Sequence, residues 1–529
     1  YQLTFFKPMH YQPILSFITA IFAMILTSCG DENNPAPSEQ EAFLTINENL
    51  LNDGINYTDA ADTKSFLVKS NRELTVTSSQ PEWCIATIEP INNSEQATLT
   101  VEVKKNESTV ERKATVTVTA ADITRQISVT QAAKAEEQPE EPIKPDTPEV
   151  PVSEAVKFAQ SMGMGWNLGN QMDAYNNNVA SETAWGNGKA TQALFDRLAS
   201  AGIQTVRIPV TWLGHFGEAP DYTIDSAWLN RVAELVNYAE KAGLKAIINI
   251  HHDGADGKHW LDIKGAANDP AINERVKAQL KAMWTQIASK FSDKGEFLIF
   301  ESLNEIHDGG WGWGDNRKDG GKQYRTLNDW NQTFVDAVRA TGGNNSTRYL
   351  AVPSYCTNPD LALTGSFVLP SDPTPGRLMV SVHYYAPTEF SLEDKFSEWG
   401  HTGAAGKKAT YGDEDAIKDT FGKLRDRFVS KGIPVYIGET GCVHRSSDRA
   451  EKFRKYYLEY VCKAAREYGM PAIYWDNGSR DAGRECSGLL DHATGNYLNN
   501  GKEIIDLMVK AATSDDPAYT LSTVYNSAP

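Results

Sequence analysis

The chain has 529 residues, 40% of them hydrophobic, which is enough for two or three domains including one as large as an eight-fold α/β barrel. Its formal net charge of −18, with no basic patch to offset the repulsion, excludes nucleic acid and anionic lipid surfaces as ligands. Twelve Trp and 21 Tyr instead supply aromatic surface for an uncharged, flat-faced ligand.

Lys7 precedes an apolar stretch from Ile14 to Leu26 that is too short to span a membrane, so residues 1–29 read as an export signal, with those ahead of Met9 an upstream extension. The ending Leu26-Thr27-Ser28-Cys29 resembles a bacterial lipobox. The resemblance implies a lipid on Cys29 and an anchor in the bacterial outer membrane at the cell surface. Residues 30–40 then read as a flexible tether. From 41 to 133, β-branched residues alternate in short runs, as in Ala97 to Val103, Ala114 to Thr119 and Gln126 to Thr130. This is the pattern of a small all-β sandwich. Trp83, the Arg112-to-Thr119 strand and the closing Val129-Thr130-Gln131 resemble the BACON domain, which leaves a spacer role and a glycan-binding role both open. Residues 134–152, rich in Pro and Glu, form an extended linker.

Beyond the linker, apolar strand-like runs alternate with amphipathic helical segments. The strands are expected at Gly163 to Leu168, Thr205 to Pro209, Lys245 to His251, Phe297 to Leu303, Tyr349 to Val352, Leu378 to Tyr384, Pro434 to Glu439 and Ala472 to Trp475. Helices are expected at Thr191 to Ala201, Ser226 to Ala242, Pro270 to Phe291, Glu414 to Ser430 and Arg449 to Tyr468. Eight such units over residues 153–515 predict an α/β fold, a (β/α)8 TIM barrel.

In a barrel of this kind the reactive side chains project from the C-terminal ends of the strands. Here those ends carry Arg207 on the second strand, Asn249, His251, His252 and Asp253 on the third, and Asn304 and Glu305 on the fourth. His383 and Tyr385 end the sixth, Glu439 the seventh and Trp475 the eighth. Carboxylates on strands four and seven face each other across the mouth, at about the 5 to 5.5 Å used by retaining glycosidases. Arg207 and the Tyr385 hydroxyl are expected to keep Glu439 ionised for attack on the anomeric carbon. Glu305, near that charge and partly desolvated, is expected to have a raised pKa and to act as acid, then base.

The motifs Val206-Arg207-Ile208-Pro209, Ile248-Asn249-Ile250-His251-His252, Leu303-Asn304-Glu305, Val382-His383-Tyr384-Tyr385 and Ile437-Gly438-Glu439 together resemble glycoside hydrolase family 5. Gly165 to Asn170 and Glu182 to Asn187 are similar to its endoglucanase branch, subfamily 4. The resemblance implies Glu305 as acid/base and Glu439 as nucleophile. It implies a shell of Arg207, His251, Asn304, His383 and Tyr385, and Trp475 as the platform beneath the sugar at the cleavage point. Asn170, Trp185, His252, Trp311 and Trp313 are further candidate sugar contacts. The activity implied is that of a retaining endo-β-1,4-glucanase on cellulose-type glucan, mixed-linkage glucan or xyloglucan. A mannanase or xylanase with the same carboxylates, and a non-catalytic glycan-binding lipoprotein, are the alternatives.

The family's usual Asn-Glu-Pro is here Asn304-Glu305-Ile306, followed by the glycine-rich His307 to Gly314, which puts the shape of the neighbouring subsites in question. Glu301 shares a face with Glu305 but is expected about 13 Å lower, inside the barrel. His251 and His252, as adjacent strand residues, are expected to diverge and so not to share a metal ion. Trp212 and Trp260 are divided between sugar contact and core, while Trp228 and Trp284 are expected in the core. Cys84, Cys356, Cys442, Cys462 and Cys486 lack the close spacing of a zinc site. No metal, no cofactor, no nucleic acid and a monomer are the expectations; disulfide pairing stays open.

Overall fold

Strands that alternate β-branched and polar residues bury one face and expose the other, and the first unit of the chain is built from two four-stranded sheets of this kind. The computed structural model describes residues 41–90, 95–134, 152–257 and 259–529. The export signal with Cys29, the 30–40 tether and all but the ends of the 134–152 linker lie outside the described residues. One sheet orders Leu44–Thr45, Asp62–Ser70, Gln96–Val103 and Cys84–Pro90; the other orders Ile55–Tyr57, Ile123–Gln131, Arg112–Ala120 and Leu74–Ser78. Their inner faces share a core of Val68, Leu99, Val101, Val116, Val118, Ile127 and Val129. Trp83 is half-buried under the Arg112 guanidinium, 4.3 Å from its ring.

The second unit is a closed barrel of eight parallel strands. These are β1 (Met164–Leu168), β2 (Thr205–Ile208), β3 (Lys245–Asn249), β4 (Leu298–Glu301), β5 (Leu350–Pro353), β6 (Leu378–Tyr384), β7 (Val435–Thr440) and β8 (Ala472–Asp476). Strands β1 to β4 are buried at nearly every residue, as a sheet covered on both faces requires. Helices α1 (Gln192–Ser200), α2 (Ser226–Lys241), α3 (Pro270–Lys290), α4 (Lys322–Ala340), α5 (Glu414–Arg427), α6 (Asp448–Glu467) and α7 (Gly501–Thr513) belong to the same unit. In α2 the buried Trp228, Val232, Leu235, Val236 and Ala239 recur every three or four residues, and Asp225 caps its first turn. Trp228 and Trp284 are core residues as expected, and Trp212 is fully buried too.

The barrel floor is sealed by a short helix, Glu154–Gln160. Its Ala155 and Ala159 pack with Ile247, Ile299, Ala351 and Ile473, and Phe158 stacks 4.0 Å from Tyr349. With the floor apolar, inward polar side chains collect in the upper layers. Two strands stop two residues earlier than expected: β3 at Asn249 and β4 at Glu301. Strand alternation therefore does not reach residues 251–252 or 302–305, and both consequences bear on the site.

Candidate active site

The C-terminal strand ends open into a cleft of about 1560 Å³. Its lining contains Asn170, Trp185, His251, His252, Asn304, Glu305, Trp311, Trp313, His383, Tyr385, Glu439 and Trp475, so these sequence-selected residues converge on one place. Arg207, fully buried on β2, lies beneath. Its guanidinium donates to Glu439 at 2.8 Å, to Glu301 at 2.8 Å, and to the side-chain oxygens of Asn304 at 2.8 Å and Asn167 at 3.0 Å. A buried guanidinium is tolerable only with its donors satisfied in this way.

One guanidinium touches both carboxylates, so Glu301 lies directly beneath the site and not 13 Å below it. The early end of β4 removes the strand rise on which that spacing relied. Glu301 also accepts from Asn249 at 2.9 Å, Ser381 at 2.6 Å and Tyr436 at 2.8 Å. Burial pushes its pKa up, but Arg207, His383 and these donors outweigh burial and hold it below the ordinary value. Ser381 and Tyr436 were not among the sequence candidates. Ser381 sits two residues before His383 on β6, and that alternation was the available signal.

Glu439 is gripped at both oxygens, by Arg207 on one and by the Tyr385 hydroxyl at 3.1 Å on the other. Glu305 is held at one, 2.7 Å from His383 Nδ1, which is also 3.5 Å from Glu439. The Glu305 side chain is 22% exposed and that of Glu439 7%, so Glu305 is the more open to a leaving group and to water. A carboxyl oxygen of Glu305 and one of Glu439 lie within 4.8 Å of each other.

The proton affinities of this pair are the reverse of those expected. Burial pushes Glu305 up, but the hydrogen bond and charge of His383, with His307 and His252, outweigh it and leave Glu305 lowered. Glu439 is raised, by burial first and then by the Glu305 charge, against the opposing pull of His383 and Arg207. Two features account for the reversal. His383 donates to Glu305 and not to Glu439, and Arg207 divides its charge between Glu439 and Glu301.

His251 and His252 do not diverge. Their rings meet edge to face with centroids 4.4 Å apart, because β3 has already ended. With Asp173 they form a cluster of metal-ligating types. Asn249 decides its chemistry: Asn249 Oδ1 accepts from Val210 N, so its amide nitrogen faces His251 Nδ1 at 3.1 Å. His251 Nδ1 is thus an acceptor and Nε2 carries the proton. Burial, then the nearby His252 and Arg207, push the His251 pKa well below normal, so the ring is neutral and its Nε2–H is a donor in the cleft lining. Asp253 anchors this turn, accepting from Trp212 N and Trp260 Nε1 at 2.8 Å each, and burial raises its pKa to about 6. Trp475 has no room behind it: a Cβ on Gly169 would fall 2.8 Å from its ring. The five cysteines Cys84, Cys356, Cys442, Cys462 and Cys486 are all free thiols, and Cys356 lines the cleft.

Residues 171–481, more than half of the chain, match the cellulase family, glycosyl hydrolase family 5. The chain belongs to this family. Residues 73–132 match BACON, described as an N-terminal binding domain. Among curated relatives, endoglucanase A of Paenibacillus barcinonensis is 38% identical over 61% of this chain and 82% of its own length. The xyloglucan-specific endo-beta-1,4-glucanase of Bacteroides ovatus is 34% identical over 80% of this chain and 83% of its own. Among solved structures, a GH5-4 broad specificity endoglucanase from Bacteroides salanitronis is 62% identical, with a TM-score of 0.67 over 68% of this chain and 95% of that one. A Bacteroides ovatus GH5 xyloglucanase in complex with a XXXG heptasaccharide is 30% identical, with a TM-score of 0.60 over 89% and 100%. This family 5 member is accordingly a glycoside hydrolase.

Proposed function

We propose that this hydrolase is a subfamily 4 endo-β-1,4-glucanase that cleaves plant cell-wall glucans with retention of configuration, xyloglucan among them. The observation that carries the mechanism is the placement of Glu305 and Glu439 in one cleft, with a carboxyl oxygen of each within 4.8 Å of the other. Retaining enzymes hold them about 5 to 5.5 Å apart, whereas inverting enzymes need about 6.5 to 9.5 Å to admit a water. Glu439, fixed at both oxygens, attacks the anomeric carbon of a glucosyl unit set over Trp475. Glu305 protonates the departing oxygen and then deprotonates the water that releases the glycosyl enzyme. Positive charge developing at the anomeric carbon favours ionised Glu439.

The cleft volume supports a polymeric substrate, since it exceeds the roughly 300 to 1,000 Å³ of small-molecule pockets and leaves space for side branches. The relatives named for xyloglucan and for broad specificity support the substrate range. The chain acts as a monomer, held by lipid on Cys29 at the outer-membrane surface, with the sandwich as a spacer. The sequence Leu26 to Cys29 supports the anchor. The spacer role is supported by the covered Trp83 and by the large hydrophobic side chains exposed on that unit, Leu67 and Val110, neither of them aromatic.

The test is product analysis on carboxymethyl cellulose, mixed-linkage glucan, xyloglucan, xylan and mannan, with the first-formed anomer read by NMR. β-Anomers and oligosaccharides from the glucans are expected. α-Anomers would overturn retention, and activity confined to mannan or xylan would overturn the substrate. For the anchor, Cys29→Ala is expected to move the protein from the membrane fraction to the soluble one.

A further inference from the structure

The glycine-rich segment after Glu305 is tightly built. Asp308 accepts from Gly310 N at 3.0 Å on one oxygen, and from Asn316 N at 3.0 Å and Gln323 Nε2 of α4 at 3.1 Å on the other. Its own N–H donates to the Tyr355 hydroxyl at 2.9 Å, which donates onward to Gln323 at 2.6 Å. Asn316 and Arg317 close the turn on the Gly312 carbonyl at 3.0 and 2.7 Å. Two glycines are required by space: a Cβ on Gly310 would fall 2.4 Å from Gly314 Cα, and one on Gly314 would fall 2.3 Å from Asp308 Oδ1. Asp308 thus replaces, by hydrogen bonding, the stiffness that a proline after Glu305 would have supplied.

This frame presents two indoles to the cleft. Trp311 is 57% exposed and stacked on His307 at 4.3 Å; Trp313 is 73% exposed and backed by Arg317 at 4.4 Å. Large apolar side chains kept in water by a rigid frame mark a binding surface. Their position says for what. Gly312 faces Cys356, Asn358 and Leu361, which follow β5, whereas Trp185 follows β1 and Trp475 ends β8, across the ring from β4 and β5.

Resting on the glucanase reading above, we propose that Asp308 is a specificity-determining positioning residue: it pins residues 307–317 as an aromatic platform on which Trp311 and Trp313 stack the glucosyl units of the leaving half of the polymer. Glu305 protonates the leaving oxygen, so that half of the chain departs past the segment that follows Glu305.

The experiment compares kcat/KM on xyloglucan or mixed-linkage glucan with kcat/KM on an aryl β-cellobioside, whose leaving group contains no sugar. The ratio of polymer to aryl substrate is expected to fall about tenfold in Trp311→Ala/Trp313→Ala, the size of loss that truncating an aromatic anchor produces. Trp313→Phe, which keeps a ring, restores part of it. Asp308→Asn, which sets an amide donor against donors, lowers the ratio about threefold to tenfold, mainly through KM. A ratio unmoved in these variants, or equal losses on both substrates, overturns the proposal. A parent chain that cleaves neither substrate overturns the glucanase reading instead.

Discussion

Arg112 lies 4.3 Å from Trp83 in the sandwich and Arg317 lies 4.4 Å from Trp313 in the barrel, yet the first indole is half-buried and the second is 73% exposed in a cleft wall. The wider contrast lies in what each unit buries. The sandwich core is aliphatic apart from Tyr57 and Cys84, and among the described residues its buried polar side chains are Ser70, Asn106 and Gln131, all uncharged. The barrel buries Glu301 and Glu439 against one guanidinium, that of Arg207. Burying charge is costly, and a buried ion pair is often no more stable than an apolar replacement. The barrel's charged centre is therefore explained by chemistry and the sandwich's apolar centre by folding.

The sharpest way to break this contrast is at the nucleophile. Glu439→Ala is expected to lower reducing-sugar release roughly ten-thousandfold or more, and substantial residual hydrolysis would remove Glu439 from its role. Next comes Glu301→Gln, which leaves the buried guanidinium short of one charge and is expected to cost about 3 kcal/mol in denaturant unfolding. Glu439 then has Arg207 to itself, so its pKa falls and the acid limb of the activity profile moves to lower pH. An unmoved acid limb would show that Glu301 does not share Arg207 electrostatically.

His383→Phe removes the group that lowers both carboxylates. Both pKa values rise, so Glu439 ionises and Glu305 deprotonates at higher pH. The whole profile is expected to move up by about one pH unit, the worth of a hydrogen bond to a charged group. A shift to lower pH would contradict the assignment. The smallest effect belongs to the sandwich: Arg112→Ala uncovers Trp83 and is expected to cost under about 1 kcal/mol by thermal unfolding, with xyloglucan hydrolysis unchanged. A change in hydrolysis there would mean that the sandwich takes part in catalysis.

Much of this was legible in the chain itself. Eight apolar runs separated by amphipathic segments predict the barrel because a fully covered parallel sheet admits little else. Polar residues at the ends of those runs mark the cleft, because strand direction decides which end carries the loops that form it. Two of the errors lie where strands stop. Alternation projected past Asn249 separated His251 from His252, and a strand rise projected past Glu301 placed that carboxylate too deep.

The sequence by itself determined the fold class, through residue type and local period, and its motifs resembled the family to which the chain belongs, with Glu305 and Glu439 at two of the strand ends. The tertiary structure decided how the charges are shared. That Arg207 serves Glu301 as well as Glu439, that His383 donates to Glu305, and that Asn249 sets the tautomer of His251 all depend on distances between residues far apart in the chain. Electrostatic energies vary with those distances and with burial, and neither is encoded in the spacing of residues along a strand.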